Sequence, residues 1–407
     1  MNNLKSRLLL LLLTFSLTPF ALGAGQQKPG DLKIETYVFE AANKQKINAE
    51  SGRLVVPENR NNPRSNLIEI AFVRFKSTAK EPGPPIVYLE GGPGGSGIDA
   101  ARNQAFSLLM AMRELGDVIV LDQRASGKSR PNLECSQTWD RPLDVPGESK
   151  ETLPIVKEKI RVCLQELRNK GIDPAGYNTN ENADDIEDLR RALGYPKIRL
   201  WGISYGTLLA LIALRRHNNS IDRLILSGVL GPSHARAYFP SLIQEQLVKV
   251  DSLFKADPNV NKLMPDFQGL VKSLLNQLDK SPVVVEVDDP QTKQRVKVAV
   301  NKFDLQLFTA YSLTYSYGIM NLPNFYYPMS KGDWTPLARR ALSRRREQVG
   351  PMLALLMTCA SGMSDGRKKR IEAEAKQGFL LGTPSIQVVA RYAKLWEMIL
   401  EKSSVRR

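Results

Sequence analysis

Beyond its first two dozen residues the sequence has no apolar run approaching the ~20 residues that cross a bilayer, which excludes a membrane bundle. Cysteine is scarce: Cys135, Cys163 and Cys359 allow no more than one disulfide within the chain. Aromatic residues make up 7% and follow no base-stacking pattern, so the formal charge of +15 does not point to nucleic acid. The basic residues are scattered, with short clusters at Arg344 to Arg346 and Arg367 to Arg370 that read as solvated helix faces. Internal repeats and low-complexity tracts are absent. Histidine is scarcest of all: His217 and His234 are the only two, so chemistry needing a histidine late in the chain has none to use.

What is present is ordinary for a soluble globular protein, with 42% hydrophobic and 24% charged residues in 407. That length suits one large domain with an insertion, or two domains. Lys5 and Arg7 precede the apolar run Leu8 to Leu13, and small residues follow at Ala21, Gly23 and Ala24. This is the pattern of an export signal spanning 1–24 with a mature start near Gly25, placing the chain in the periplasm or outside the cell. The run is too short for an anchor, and no cysteine follows it to take a lipid. Export allows a disulfide to persist. Cys135 and Cys163 flank one Pro- and Asp-rich loop and are the expected pair, with Cys359 left odd.

Short apolar runs read as strands at Leu67 to Phe75, Ile86 to Leu89, Val118 to Leu121, Ile198 to Trp201 and Leu224 to Leu226. Asp184 to Leu193 and Thr207 to Arg216 carry helical spacing between the last of them. Strand, helix, strand, helix, strand predicts an α/β fold, a parallel sheet covered on both faces. Tyr37 to Glu40 and Arg53 to Val56 read as leading antiparallel strands. After a core spanning 25–233, the stretch 234–350 is helix-rich and reads as an insertion over the sheet edge. It contains a hairpin, Val283 to Val287 with Val296 to Val300. Met352 to Thr358 is expected to re-enter the core within 351–407, with helices following at Ile371 to Ala375 and Ile386 to Leu400.

The central chemical signal is Gly202-Ile203-Ser204-Tyr205-Gly206, between a strand and a helix. Such a turn is so sharp that bulky neighbours would clash, hence the flanking glycines, and it lifts the Ser204 hydroxyl clear of the sheet edge as a nucleophile. Gly91-Gly92-Pro93-Gly94-Gly95-Ser96-Gly97 follows an earlier strand, where the loop supplies part of an oxyanion hole. The amides of Gly92 and Tyr205 are the candidate donors; Pro93 has no N–H to give. The glycine spacing fits neither a dinucleotide fingerprint nor a phosphate loop, and no metal or organic cofactor is expected.

In these motifs the chain resembles the proline iminopeptidase and tripeptidyl aminopeptidase family of α/β-hydrolases. Asp122-Gln123-Arg124 with Ser126-Gly127-Lys128-Ser129 is similar to that family's loop, although Ala125 stands where a glycine usually lies. Asp185 to Arg190 with Leu193-Gly194-Tyr195, and Lys331-Gly332-Asp333-Trp334 with the run to Cys359, extend the likeness. The resemblance implies a hydrolase core, a helical cap after the sixth core strand, and release of amino-terminal proline or short peptides from peptide substrates. It also implies acidic cap residues that bind the substrate ammonium. Glu245, Glu286, Asp288 and Asp289 are available, and none is assigned because most acidic residues of a helical cap are solvated.

A serine hydroxyl needs a base, itself oriented by a carboxylate, and this family carries Asp then His late in the chain. Here no histidine follows His234, and the last aspartate is Asp365. The triad Asp and His are therefore unassigned, and the last core strands are expected to be missing. A gene product truncated relative to an active ancestor is the leading expectation. A catalytically silent peptide-binding protein and a rearranged site using His234 are the alternatives, and an esterase is a further one. His217, beside Asn218, is expected at the surface. Truncation would leave an unpaired apolar sheet edge at Leu224 to Leu226 or Leu353 to Met357, a liability for association.

Overall fold

A computed structural model describes residues 27–139, 141–145, 152–232, 239–347, 349 and 351–380. The export signal, His234 and the helix expected at Ile386 to Leu400 lie outside the described residues. In chain order come β1 (Leu32–Glu40), β2 (Lys46–Pro57), β3 (Leu67–Phe75), β4 (Gly83–Leu89), α1 (Gly97–Arg102), α2 (Phe106–Met112) and β5 (Gly116–Leu121). Then follow α3 (Thr152–Asn169), α4 (Thr179–Ala192), β6 (Ile198–Ile203), α5 (Tyr205–His217) and β7 (Ile221–Ser227). They form one seven-stranded sheet in the order β1-β2-β3-β5-β4-β6-β7. β1, β2, β3 and β5 pair antiparallel in succession, whereas β5, β4, β6 and β7 run parallel.

The β-rich runs are continuous rather than alternating because both faces of the sheet are covered. Val87 and Leu89 of β4, with Ile119 and Leu121 of β5, point into a cluster shared with α3, α4 and α5. Their alternates Ile86, Tyr88, Val118 and Val120 point the other way, among Phe39, Phe106 and Leu109 beneath α1 and α2. α4 starts earlier than its apolar spacing indicates, at Thr179, because the Asn178 side chain accepts from the Glu181 amide and caps it.

β7 is the last strand of the described sheet, and Ile225 on it is 40% exposed. The other segment expected as a bare edge is not a strand. Leu353 to Met357 lies in α12 (Leu353–Ser361), whose Leu353, Leu356 and Met357 are buried against Tyr205 and Leu208 in the core cluster. The pattern of successive apolar residues suits a buried helix as well as a strand, and burial on the α4 side selected the helix.

Between β7 and α12 the chain builds α6 (Pro240–Ala256), α7 (Pro258–Leu263), α8 (Phe267–Lys280), the hairpin β8 (Val283–Asp288) and β9 (Arg295–Val300), α9 (Lys302–Ser312), α10 (Ser316–Ser330) and α11 (Thr335–Arg346). These elements enclose a second apolar cluster around Leu247, Phe267, Leu322 and Tyr326. The insertion follows β7, the sixth strand when the leading β1 is set aside. α13 (Asp365–Gln377) does not return to the sheet: Arg367 and Arg370 lie over the ring of Phe239 just before α6, and Glu374 accepts from the Ser241 amide.

The segment 133–139 ties insertion to sheet. Leu133, Gln137 and Trp139 exchange backbone hydrogen bonds with Met352, Val349 and Glu347. The Cys135–Cys163 disulfide fastens the same segment to α3. Cys359 is free, as expected; it is also buried, and burial pushes its thiol up to about 12. Arg345, fully buried, donates to the carbonyls of Leu143 and Ala299 and to Asp304. Of the acidic insertion residues, Asp289 is buried, capping the turn amides of Gln291 and Thr292 and pairing with Arg346. Glu286 pairs across the hairpin with Arg295.

Candidate active site

Ser204 is the single residue between β6 and α5, at φ 53° and ψ −117°. This left-handed, sparsely populated conformation in a non-glycine residue is the strained turn that the glycine pattern predicts. The serine is exposed at the carboxyl end of the parallel strands. Its amide donates to the Ser227 carbonyl at the end of β7, and its carbonyl accepts from the amide and hydroxyl of Thr207. The glycines on either side are demanded by backbone. A Cβ on Gly202 would stand 2.3 Å from the Gly206 carbonyl oxygen, and one on Gly206 2.0 Å from that of Leu89.

The glycine-rich turn after β4 lies directly against this serine. A Cβ on Gly91 would stand 3.0 Å from Ser204 Cβ and 3.6 Å from its Oγ. Gly92, at φ +121°, precedes a cis bond to Pro93. The Gly95 amide donates to the Gly91 carbonyl and the Gly91 amide to Glu90 Oε1, leaving the Gly92 amide without an acceptor among the described residues. The Tyr205 amide opens α5 and has no intrahelical acceptor, so it adds its dipole end to the same place. The Tyr205 phenol points inward, bonded to Thr179 Oγ1 at 2.9 Å and near Met357 Sδ at 3.4 Å. Burial pushes it up to about 12, so it stays neutral.

The Asp122-Gln123-Arg124 loop supports these parts from behind. Asp122 Oδ1 accepts from Ser96 Oγ and the Ile98 amide and Oδ2 from the Lys128 amide, tying the glycine turn to the loop. Burial pushes its carboxyl up, against the pull of these donors. Arg124 is wholly buried and grips both carboxylate oxygens of Asp185 on α4, at 2.9 and 2.7 Å, and the carbonyls of Glu58 and Gly176. Arg60 reaches Asp185, Glu181 and Asp188 from the other side, a contact with no signature in the sequence.

Ala125 has φ 59°, which explains a glycine there in similar loops. The left-handed conformation costs alanine about 1–2 kcal/mol, close to what its buried methyl returns. Ala125→Gly is therefore expected to change the unfolding free energy by less than about 0.5 kcal/mol, whereas Ala183→Gly, also buried but within α4, should cost about 2 kcal/mol. Equal losses in denaturant melts would contradict this account of Ala125.

No base stands beside Ser204 in the described residues, and its Oγ has no hydrogen-bond partner there. His217 closes the far end of α5, about 20 Å along its axis from Ser204, and its Nε2 pairs with Asp184 at 2.8 Å. His217 is half-buried in that pair rather than a free surface residue. A cavity of 490 Å³ lies on the flank of α5, bordered by Arg60, Asp184, Leu208, Arg215 and Ser361, away from Ser204. Among the described residues no cluster of His, Cys, Asp and Glu is placed to hold a metal ion, and no helix is long and apolar enough to cross a membrane.

The chain is 28% identical over 190 residues to the serine protease Hip1 of Mycobacterium tuberculosis, covering 45% of this chain and 36% of that protein. It is 25% identical over 210 residues to the tripeptidyl aminopeptidase of Streptomyces coelicolor, covering 49% and 38%. It is 27% identical over 163 residues to a proline iminopeptidase of Arabidopsis thaliana, covering 40% and 30%. The matched stretch thus spans between three and four tenths of the length of these relatives. Residues 84–292, just over half of the chain, match the alpha/beta hydrolase fold family, and with its strained serine turn at the end of a parallel strand the chain belongs to that family.

Proposed function

We propose that the chain carries the nucleophile half of a serine hydrolase acting on peptides, an aminopeptidase-type enzyme releasing amino-terminal proline or short peptides. Ser204 Oγ attacks the scissile carbonyl, giving up its proton to a base. The carbonyl oxygen becomes an oxyanion held by the amides of Gly92 and Tyr205, and the amine leaves protonated as the acyl-enzyme forms. The observation that carries this reading is the meeting of three features: a strained, exposed Ser204, a glycine turn packed on it, and two adjacent amides without acceptors. The names of the relatives support peptides as the substrate class. The disulfide and the signal-like residues 1–24 support export.

A second reading, a silent peptide-binding protein, is favoured by the unpartnered Ser204 hydroxyl and by the distance of His217. The remaining histidine, His234, follows β7 by seven positions. A fluorophosphonate probe decides between the two, because it reports an activated serine whatever the substrate. Labelling of the folded chain that vanishes in Ser204→Ala is the expected result, with His234→Ala then testing the base. Absence of labelling on folded protein would leave the silent reading standing.

A further inference from the structure

Glu90 stands between β4 and the glycine turn, and no part of the chemistry above uses its side chain. Both its oxygens are nevertheless engaged. Oε1 accepts the Gly91 amide at 2.8 Å, and Oε2 accepts the buried Tyr88 hydroxyl at 2.6 Å. Burial and the Glu90 carboxylate together push the Tyr88 phenol far up, so it remains a donor. The Glu90 carbonyl accepts from Gln123 Nε2 at 2.8 Å. On the opposite side that carbonyl lies 3.1 Å from where a Gly206 Cβ would stand, so the Glu90–Gly91 peptide is wedged between Gln123 and the start of α5. The side chain also backs the turn itself: a Cβ on Gly95 would meet Glu90 Cγ at 2.7 Å.

The geometry points to Glu90 and Gln123 as positioning residues for the oxyanion turn: by holding the Gly91 amide and the Glu90 carbonyl they fix the Gly92 N–H against Ser204. Two features separate this from ordinary packing. Glu90 withdraws the Gly91 amide, and Pro93 has none, so the carboxylate removes the one donor that would compete beside Gly92. Gln123 is 1% exposed, and its Oε1 is buried without a hydrogen-bond partner among the described residues. An orphaned acceptor is destabilising, so this carboxamide is poorly explained by stability and well explained by the bond that its Nε2 makes. The inference rests on the Ser204 reading and adds to it which side chains set the oxyanion geometry.

The test uses the full chain with Glu90→Ala, Glu90→Gln, Gln123→Ala and Ser204→Ala, each checked by thermal melting. A p-nitrophenyl ester reads turnover, and hydrogen exchange reads the amides of residues 91–95. Oxyanion donors act mainly in the transition state, so Glu90→Ala and Gln123→Ala are expected to lower kcat about 10²-fold with KM little changed. Glu90→Gln, which keeps an acceptor for the Gly91 amide, should restore most of the loss. Exchange of the turn amides should quicken in both alanine variants and not in Ser204→Ala. Folded alanine variants with unchanged kcat, or with only KM altered, would overturn the proposal. So would unchanged exchange, a readout that holds even if the wild-type chain turns nothing over. Turnover that survives Ser204→Ala would instead sink the Ser204 reading, and the positioning role with it.

Discussion

Gly206→Ala is expected to abolish labelling of Ser204 and to destabilise the chain by about 3 kcal/mol, at the upper end of what overpacking costs. The added methyl would stand 2.0 Å from the Leu89 carbonyl oxygen and 2.8 Å from its carbon. Neither is the end of a flexible side chain, so β4 and α5 must part. Ser204 rides on α5 and the glycine turn on β4, so the shift opens the gap between nucleophile and oxyanion donors. Gly366→Ala supplies the comparison. It lies in the first turn of α13 with nothing within 4 Å, and the helix there should gain up to about 1 kcal/mol. A Gly206→Ala chain that melts like wild type would mean that α5 does not press on β4 as described.

Arg124→Met is expected to cost about 3–5 kcal/mol, the loss typical of breaking a buried ion pair from one side. The guanidinium is fully buried, and its removal strands Asp185, itself 1% exposed, together with the Glu58 and Gly176 carbonyls. Arg60 at 2.9 Å compensates only part of the Asp185 charge, since it also serves Glu181 and Asp188. Removing the carboxylate as well, in Arg124→Met with Asp185→Leu, should lose about 1–3 kcal/mol less than the sum of the two single changes. Additive losses in chemical denaturation would show that the pair is not coupled. The effect reaches the site through α4, whose Thr179 holds the Tyr205 phenol, so a Ser204 labelling rate that falls together with stability is the accompanying result.

A resemblance carried by Asp122-Gln123-Arg124 thus acquires physical content. Asp122 ties down the glycine turn, Gln123 holds the Glu90 carbonyl, and Arg124 pins α4, while none of the three touches Ser204 in the described hydrogen bonds. In sequence they read as one motif; in space two of them brace the glycine turn and the third holds α4.

The sequence by itself determined the serine turn, the glycine turn and the strands that carry them. Each leaves a local mark: glycines at fixed spacing around a serine or after a strand, and unbroken runs of β-branched and other apolar residues. The pairing of Cys135 with Cys163 was legible for a similar reason, since the two flank one loop. Tertiary structure alone decided the rest. Arg124 meets Asp185 across 61 positions and Arg60 meets it across 125, separations at which local patterning carries no information. Met352 to Thr358 has a pattern that fits a strand or a helix, and only the surface of α4 and α5 made it a helix. His217 was expected at the surface, and only the packing of α4 beside α5 pairs its ring with Asp184, 33 positions away. Glu90 has no periodic or motif signal, and its role appears only where β4, the glycine turn and α5 converge on its peptide bond.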